Sequence, residues 1–270
     1  MIGAIRAEFA KVLTTRLWWF LLIVLIVYVA FTAAILAAAF GGALPGTESD
    51  APQIPGEMLP PVIYSVASTV GYVFPLLLGT LAVTGEYRYQ TLTPTFLATP
   101  RRGRVLAAKF ITMAVFGAVY GVGALIGSAG PGAGILSLVE GETGLGEQDT
   151  WLLFARTILA MALWAVIGVG VGTVIPNQVA AIVVVLAFTQ FVEPVLRTIT
   201  IFVEWAAEVG NFLPGAAGDA LVGASIFSAF ALGGEAAGTL EWWQGGLLLL
   251  AYALVAGVVG YLVAWRRDVT

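Results

Sequence analysis

Gly85–Lys109 reads GEYRYQTLTPTFLATPRRGRVLAAK, a short polar island between two long apolar runs. Five of the chain's twelve basic residues fall in it: Arg88, Arg101, Arg102, Arg104 and Lys109. The runs on either side decide the fold. A helix crossing a hydrocarbon core of roughly 30 Å needs about 20 mostly apolar residues. Six stretches meet that need, at about 17–40, 62–84, 105–127, 152–175, 179–197 and 245–265. They are continuous apolar runs and not alternating segments of about ten residues, which argues against a β-barrel. The expected fold is an all-α integral membrane protein: one transmembrane domain over residues 1–270, with six transmembrane helices.

Composition agrees. The chain is 60% hydrophobic and 10% charged, against about 25% charged in a soluble domain. It has no cysteine and no histidine. Disulfides, Cys/His zinc sites, thiol nucleophiles and imidazole-dependent triads are therefore excluded. No catalytic residue and no metal site is expected. The first apolar stretch is far longer than the hydrophobic region of a cleavable signal peptide, so none is expected.

The net charge of −4 hides a segregation of signs. Arg6, Lys11 and Arg16 precede the first span, five basic residues lie between the second and third, and Arg266 and Arg267 follow the sixth. Acids occupy the alternate connections: Glu48, Asp50 and Glu57, then Glu140, Glu142, Glu147 and Asp149, then five acids in Glu204–Glu241. Basic loops stay on the cytoplasmic side. Both termini are thus expected in the cytoplasm, with the acidic loops outside a cell (plasma) membrane.

Residues 1–16 place Ile2, Ile5, Phe9 and Val12 or Leu13 at helical spacing, with Arg6, Glu8 and Lys11 between them. That pattern suits an interfacial helix lying along the inner surface, anchored by Trp18 and Trp19. The plainer alternative is an extension of the first span. The connection at 41–61 is rich in Pro and Gly and reads as irregular. Between spans five and six, residues 194–244 stay largely apolar, which suits short helices half-entering the outer leaflet. Pro176-Asn177-Gln178 forms a tight uncharged inner turn.

Few residues point to chemistry. The lysines, Lys11 and Lys109, lack a phosphate-binding loop around them, so energy from ATP must come from another chain. Glu193 and Arg197 stand four apart on one helical face with Pro194 between them. They read either as an outer gate on a substrate path or as a structural pair near the outer surface, the latter favoured by counting residues from Asn177. Gly117/Gly121, Gly123/Gly127 and Gly168/Gly172 allow close helix approach. Packing inside one subunit is the default reading for them.

In the island itself, charge alone would set the topology and attract anionic lipid. Charge does not require the repeated threonines, the prolines at 94 and 100, or a short helix between them. Glu86-x-Arg88-x-x-Thr91, then Thr95-x-Leu97-x-Thr99-Pro100-x-Arg102, then Lys109, resembles the loop between the second and third spans of ABC-2 type ABC transporter permeases. It is most similar to stand-alone membrane subunits of the actinobacterial kind. The layout of the whole chain, with Phe212-Leu213-Pro214-Gly215 in the outer connection, shares the resemblance. A departure is Gln90, where many members carry glycine.

The resemblance implies a cytoplasmic coupling loop at 85–104, received by a groove on an ATP-binding subunit. Glu86, Arg88, Thr91 and Arg102 are its implied working positions, with Thr95, Pro100, Arg101 and Arg104 beside them. It implies two copies of that ATP-binding subunit, which hold the ATP and Mg, and no cofactor in this chain. A second permease copy, identical or related, would complete the path. Membrane lipid is a further partner, and nucleic acid is not. The outer connection would be partly re-entrant, with Glu193 and Arg197 at its entrance. The expected function is the membrane subunit of an ATP-driven exporter. An ion-coupled secondary transporter or channel is the alternative, as is a non-transporting immunity or scaffold protein. The substrate is left open, because drugs, lipids, peptides and glycans are all handled by this class.

Overall fold

The computed structural model describes residues 1–42, 55–99, 101–139, 141–203, 209–227 and 240–262. Pro100, Glu48, Asp50, Glu140, Arg266 and Arg267 lie outside the described residues, as does the expected end of the sixth span. Every regular element among the described residues is helical. Six helices are long and apolar enough to cross a membrane: Leu17–Phe40, Gly56–Arg88, Arg102–Leu138, Gln148–Val174, Gln178–Thr200 and Trp242–Gly260.

Helix α1 (Ile2–Thr14) ends where Thr15 turns to extended backbone, and α2 (Leu17–Phe40) follows. The second span is two helices, α3 (Leu59–Thr69) and α4 (Val73–Arg88). Pro75 explains the bend. It has no N–H to give the Gly71 carbonyl, which instead accepts from Phe74 at 3.1 Å. Helix α5 (Leu92–Ala98) is short. Helix α6 (Arg102–Leu138) runs on past 127, the expected end of the third span. Pro131 lies inside this helix, where it removes only one backbone donor, and the apolar pattern continues to Leu138.

Helix α7 (Gln148–Val174) leads through the 176–178 turn into α8 (Gln178–Ala187). Asn177 caps α8, its side chain accepting from Ala180 N–H at 3.0 Å. A π turn at Phe188–Val192 then joins α9 (Glu193–Phe202). Pro194 is the local cause: it cannot bond four residues back, and a widened turn absorbs the mismatch. The helix thus continues beyond Arg197, the expected end of span five. Helix α10 (Pro214–Val222) stops at Gly223, whose φ of +89° suits glycine. Helix α11 (Trp242–Gly260) starts on a capping box made by Glu241 and Gln244.

Helix α7 is the centre of the bundle, packed against α4, α6, α10 and α11. Small residues make this possible. A Cβ on Gly168 would lie 2.1 Å from the Leu76 carbonyl oxygen, and one on Gly172 2.6 Å from that of Thr80. Gly117 and Gly121 meet α7 in the same way, and Gly123 and Gly127 meet α2. All three Gly-x-x-x-Gly pairs therefore serve contacts inside the chain. The outer faces of α2, α8 and α11 stay exposed and apolar, with Phe31, Val183 and Val255 among them.

Alternating helix directions bring α1, Arg88, α5 and the 176–178 turn to one end, hereafter the basic end. Glu57, Glu142, Glu147 and Asp149 are exposed at the other. The packing yields a direct test. Gly168→Val should lower unfolding free energy by more than about 2 kcal/mol, since backbone must move to admit the side chain. Gly130 has nothing within 4 Å of the place a methyl group would occupy, so Gly130→Ala should stay within about 0.5 kcal/mol of the parent. Equal effects in a detergent or bicelle unfolding assay would contradict the α4–α7 contact.

Candidate functional site

At the basic end, four charges meet from three helices. Lys109 of α6 is 1% exposed. Its ammonium donates to Glu8 Oε2 at 2.5 Å and Glu86 Oε1 at 3.0 Å. Lys11 of α1 closes the ring, donating to Glu8 Oε1 at 2.7 Å and Glu86 Oε1 at 2.6 Å. Two carboxylates and two ammoniums leave no net charge, which is what a buried cluster requires. Lys11 also donates to Thr95 Oγ1 at 3.3 Å, tying α5 to the ring. Beside it, Phe9 and Trp18 pack on Phe116, and Tyr120 donates to the Trp18 carbonyl at 2.6 Å.

Burial alone would raise the Glu8 carboxyl, but Lys109 and then Lys11 outweigh it and hold the group below its ordinary 4.5. For Lys11, burial alone would lower the ammonium, and Glu86 and Glu8 together hold it above 10.5. Both groups are charged at neutral pH.

The residues named from sequence in this loop therefore divide. Glu86 is buried in the last turn of α4 and faces inward to the lysines. Lys109 likewise belongs to the interior and adds nothing to the outward basic surface. Arg88 is exposed and donates to Gln178 Oε1 at 3.2 Å, holding the base of α4 to the neighbouring turn. Thr91 precedes α5, and its carbonyl accepts from Thr95 Oγ1 at 2.8 Å. The Arg102 guanidinium lies over the Phe96 ring, 5.1 Å from its centroid. Arg101 and Arg104 are exposed, together with Tyr89 and Leu97.

Gln90 takes a φ of +54°, the left-handed conformation that glycine adopts without strain. The chain makes the turn a glycine would make, with Thr91 N–H reaching the Glu86 carbonyl at 3.0 Å.

A second cluster lies towards the other end. Fifteen residues separate Gln178 from Glu193, about 22 Å of helix at 1.5 Å per residue. Arg197 donates to Glu193 at 3.2 Å and to Asp219 of α10 at 2.7 Å. Glu193 also accepts from Gly215 N–H at 2.5 Å and from the Tyr72 hydroxyl at 3.2 Å. Asp219 accepts from Ser225 at 2.6 Å and Thr69 at 3.1 Å. Tyr72 stacks on Trp164 with centroids 4.4 Å apart. The sequence pair is therefore part of a triad largely buried within the chain. Asp219, Tyr72 and Thr69 do not stand out with it in the sequence. The available signal is one acid in the otherwise small and apolar run PGAAGDALVG.

A cavity of about 100 Å³ adjoins this cluster, lined by Thr69, Tyr72, Thr189, Glu193 and Arg197 with Phe227 at its edge. No group of three or more His, Cys, Asp or Glu among the described residues is arranged to hold a metal ion. Comparison with known protein families finds no match for this chain, and comparison with characterised proteins finds none either.

The basal ring predicts how stability depends on pH. Glu8, held low in the folded chain, stabilises above pH 4.5, and this is lost as pH falls through its folded value. Lys11, held high, stabilises below pH 10.5, and this is lost as pH rises through its folded value. Glu8→Gln should flatten the acid limb of the unfolding profile. Lys109→Ala, which leaves two buried carboxylates to share Lys11 alone, should cost about 3–5 kcal/mol at neutral pH. An acid limb unchanged in Glu8→Gln would contradict the assignment.

Proposed function

We propose that this chain is the membrane-spanning subunit of an ATP-driven exporter of the ABC-2 type. In this reading it lies in the cell membrane with both termini in the cytoplasm. Two copies, identical or paired with a related chain, form the path, and two ATP-binding subunits supply the ATP and Mg chemistry. One observation carries the proposal. Helix α5 and the segments flanking it present exposed Leu97 on the helix, Tyr89 before it and Arg101 and Arg104 after it at the basic end, while Thr95 of α5 is tied through Lys11 to the buried ring.

That arrangement suits a coupling element. An outward surface mixing aromatic, aliphatic and guanidinium groups is the kind that docks protein. Its inner tie reaches α1, α4 and α6 at once, so displacement of α5 moves three helices together. Arg88, Thr91, Arg101, Arg102 and Arg104 then belong to the docking face, whereas Glu86 and Thr95 transmit. The partner acts only through contacts that differ between its own two states. Helices α9 and α10, joined by Arg197 and Asp219, form the proposed re-entrant outer element.

An ion-coupled transporter is the second reading, and the Glu193–Arg197–Asp219 triad favours it. Buried ionisable residues in membrane-length helices commonly mark ion or proton paths.

Accessibility separates these readings. In this cysteine-free chain, Leu97→Cys should react with a membrane-impermeant thiol reagent only from the cytoplasmic side. Bound ATP-binding subunit should protect it. Ser137→Cys, exposed at the end of α6, should react only from outside. Undiminished Leu97→Cys labelling in the presence of that subunit would sink the docking role, and reversed sidedness would sink the topology.

A further inference from the structure

The triad differs from the basal ring in its charge. Glu193 and Asp219 share the single guanidinium of Arg197, so the ionised cluster carries one uncompensated negative charge. Glu193 is 1% exposed. Desolvating an ion costs several kcal/mol, and dipoles alone offset this only in part. The other groups bonded to Glu193 are dipoles: the Tyr72 hydroxyl and the Gly215 N–H. The titratable or charged groups facing it are Arg197 on its own helix, Asp219 on α10, Tyr72 at the α3–α4 bend and Tyr252 on α11. No second cation is among them.

Tyr72 supplies the decisive geometry. Its hydroxyl oxygen lies 3.2 Å from Glu193 Oε2 and 3.4 Å from the Thr189 carbonyl oxygen. One hydroxyl hydrogen serves one of these acceptors well, not both. Thr189 lies in the π turn that Pro194 imposes, so its carbonyl is out of the regular helical ladder. Tyr72 therefore has two acceptors and two roles.

We propose that Glu193 is a reversible proton-binding site, with Tyr72 as the partner that changes direction. In the ionised state the Tyr72 O–H donates to Glu193 Oε2. On proton uptake, a hydronium proton from solution, relayed by water in the adjoining cavity, leaves its water oxygen and forms an O–H bond at Oε2, so that neutral water is left behind. Tyr72 then rotates its hydrogen to the Thr189 carbonyl and accepts from Glu193 through its oxygen. One O–H bond breaks on the hydronium as the one at Oε2 forms, and the cluster becomes neutral. The cavity of about 100 Å³ has room for the waters that deliver the proton. Asp219 remains the carboxylate that holds Arg197, at 2.7 Å. The state of Glu193 thereby sets how α9 bonds to the α3–α4 bend.

The site stands on this chain's geometry and does not depend on what drives transport. Its test is likewise separate from partner binding. The purified chain in lipid discs is titrated between about pH 4 and 9, a range starting near the ordinary glutamate value, by difference infrared spectroscopy. The parent should show one carbonyl stretch of a buried protonated carboxyl that grows as pH falls. Glu193→Gln should abolish it. Tyr72→Phe, a milder change, should keep the band and shift its frequency because the acceptor is gone. Absence of a titrating band in the parent would overturn the proposal. So would a band that survives Glu193→Gln, or one that Tyr72→Phe leaves unmoved.

Discussion

The arrangement of the basic end depends on one buried ammonium. Lys109 is enclosed where α6 leaves the loop, and a lone cation there would cost more than any single packing contact returns. Glu8 and Glu86 remove that cost, but only from α1 and from the last turn of α4. Satisfying Lys109 therefore fixes three elements against one another. Lys11 balances the second carboxylate and reaches Thr95, which brings α5 into register with them. The polar island is shaped from within by a neutral ring, and its outward charges are what remain.

Between the two charged clusters lies close packing with little freedom. Gly168 and Gly172 of α7 let α4 approach to backbone contact, and Gly117 and Gly121 of α6 do the same from the other side. Such an interior transmits displacement and does not absorb it. The irregular turns are placed differently. The Pro75 bend and the Pro194 π turn both border the Glu193–Arg197–Asp219 cluster. Helix irregularity borders the cluster whose charge is unbalanced.

Much of this is legible in sequence, because membrane spans declare themselves over about twenty neighbouring residues. Six apolar runs correspond to six long helices, and the paired glycines mark helix contacts within the chain. Local reading fails where the deciding partner is distant. Glu8, Lys11, Glu86 and Lys109 look like an amphipathic face and a topology signal, since nothing in either segment reveals the other. Asp219 sits in a stretch that reads as a connection, although the fold carries it to Arg197 across 22 residues. The third span, expected to end at about 127, continues as helix to Leu138 with Pro131 inside it.

Lys109 and its carboxylates act as one unit. A double-mutant cycle on Lys109→Met and Glu8→Gln, measured as unfolding free energy in bicelles at neutral pH, tests this most directly. Non-additivity of at least about 1.5 kcal/mol is expected, since neutralising both partners removes a charge that either single change strands. Additive effects, within about 0.5 kcal/mol, would contradict it.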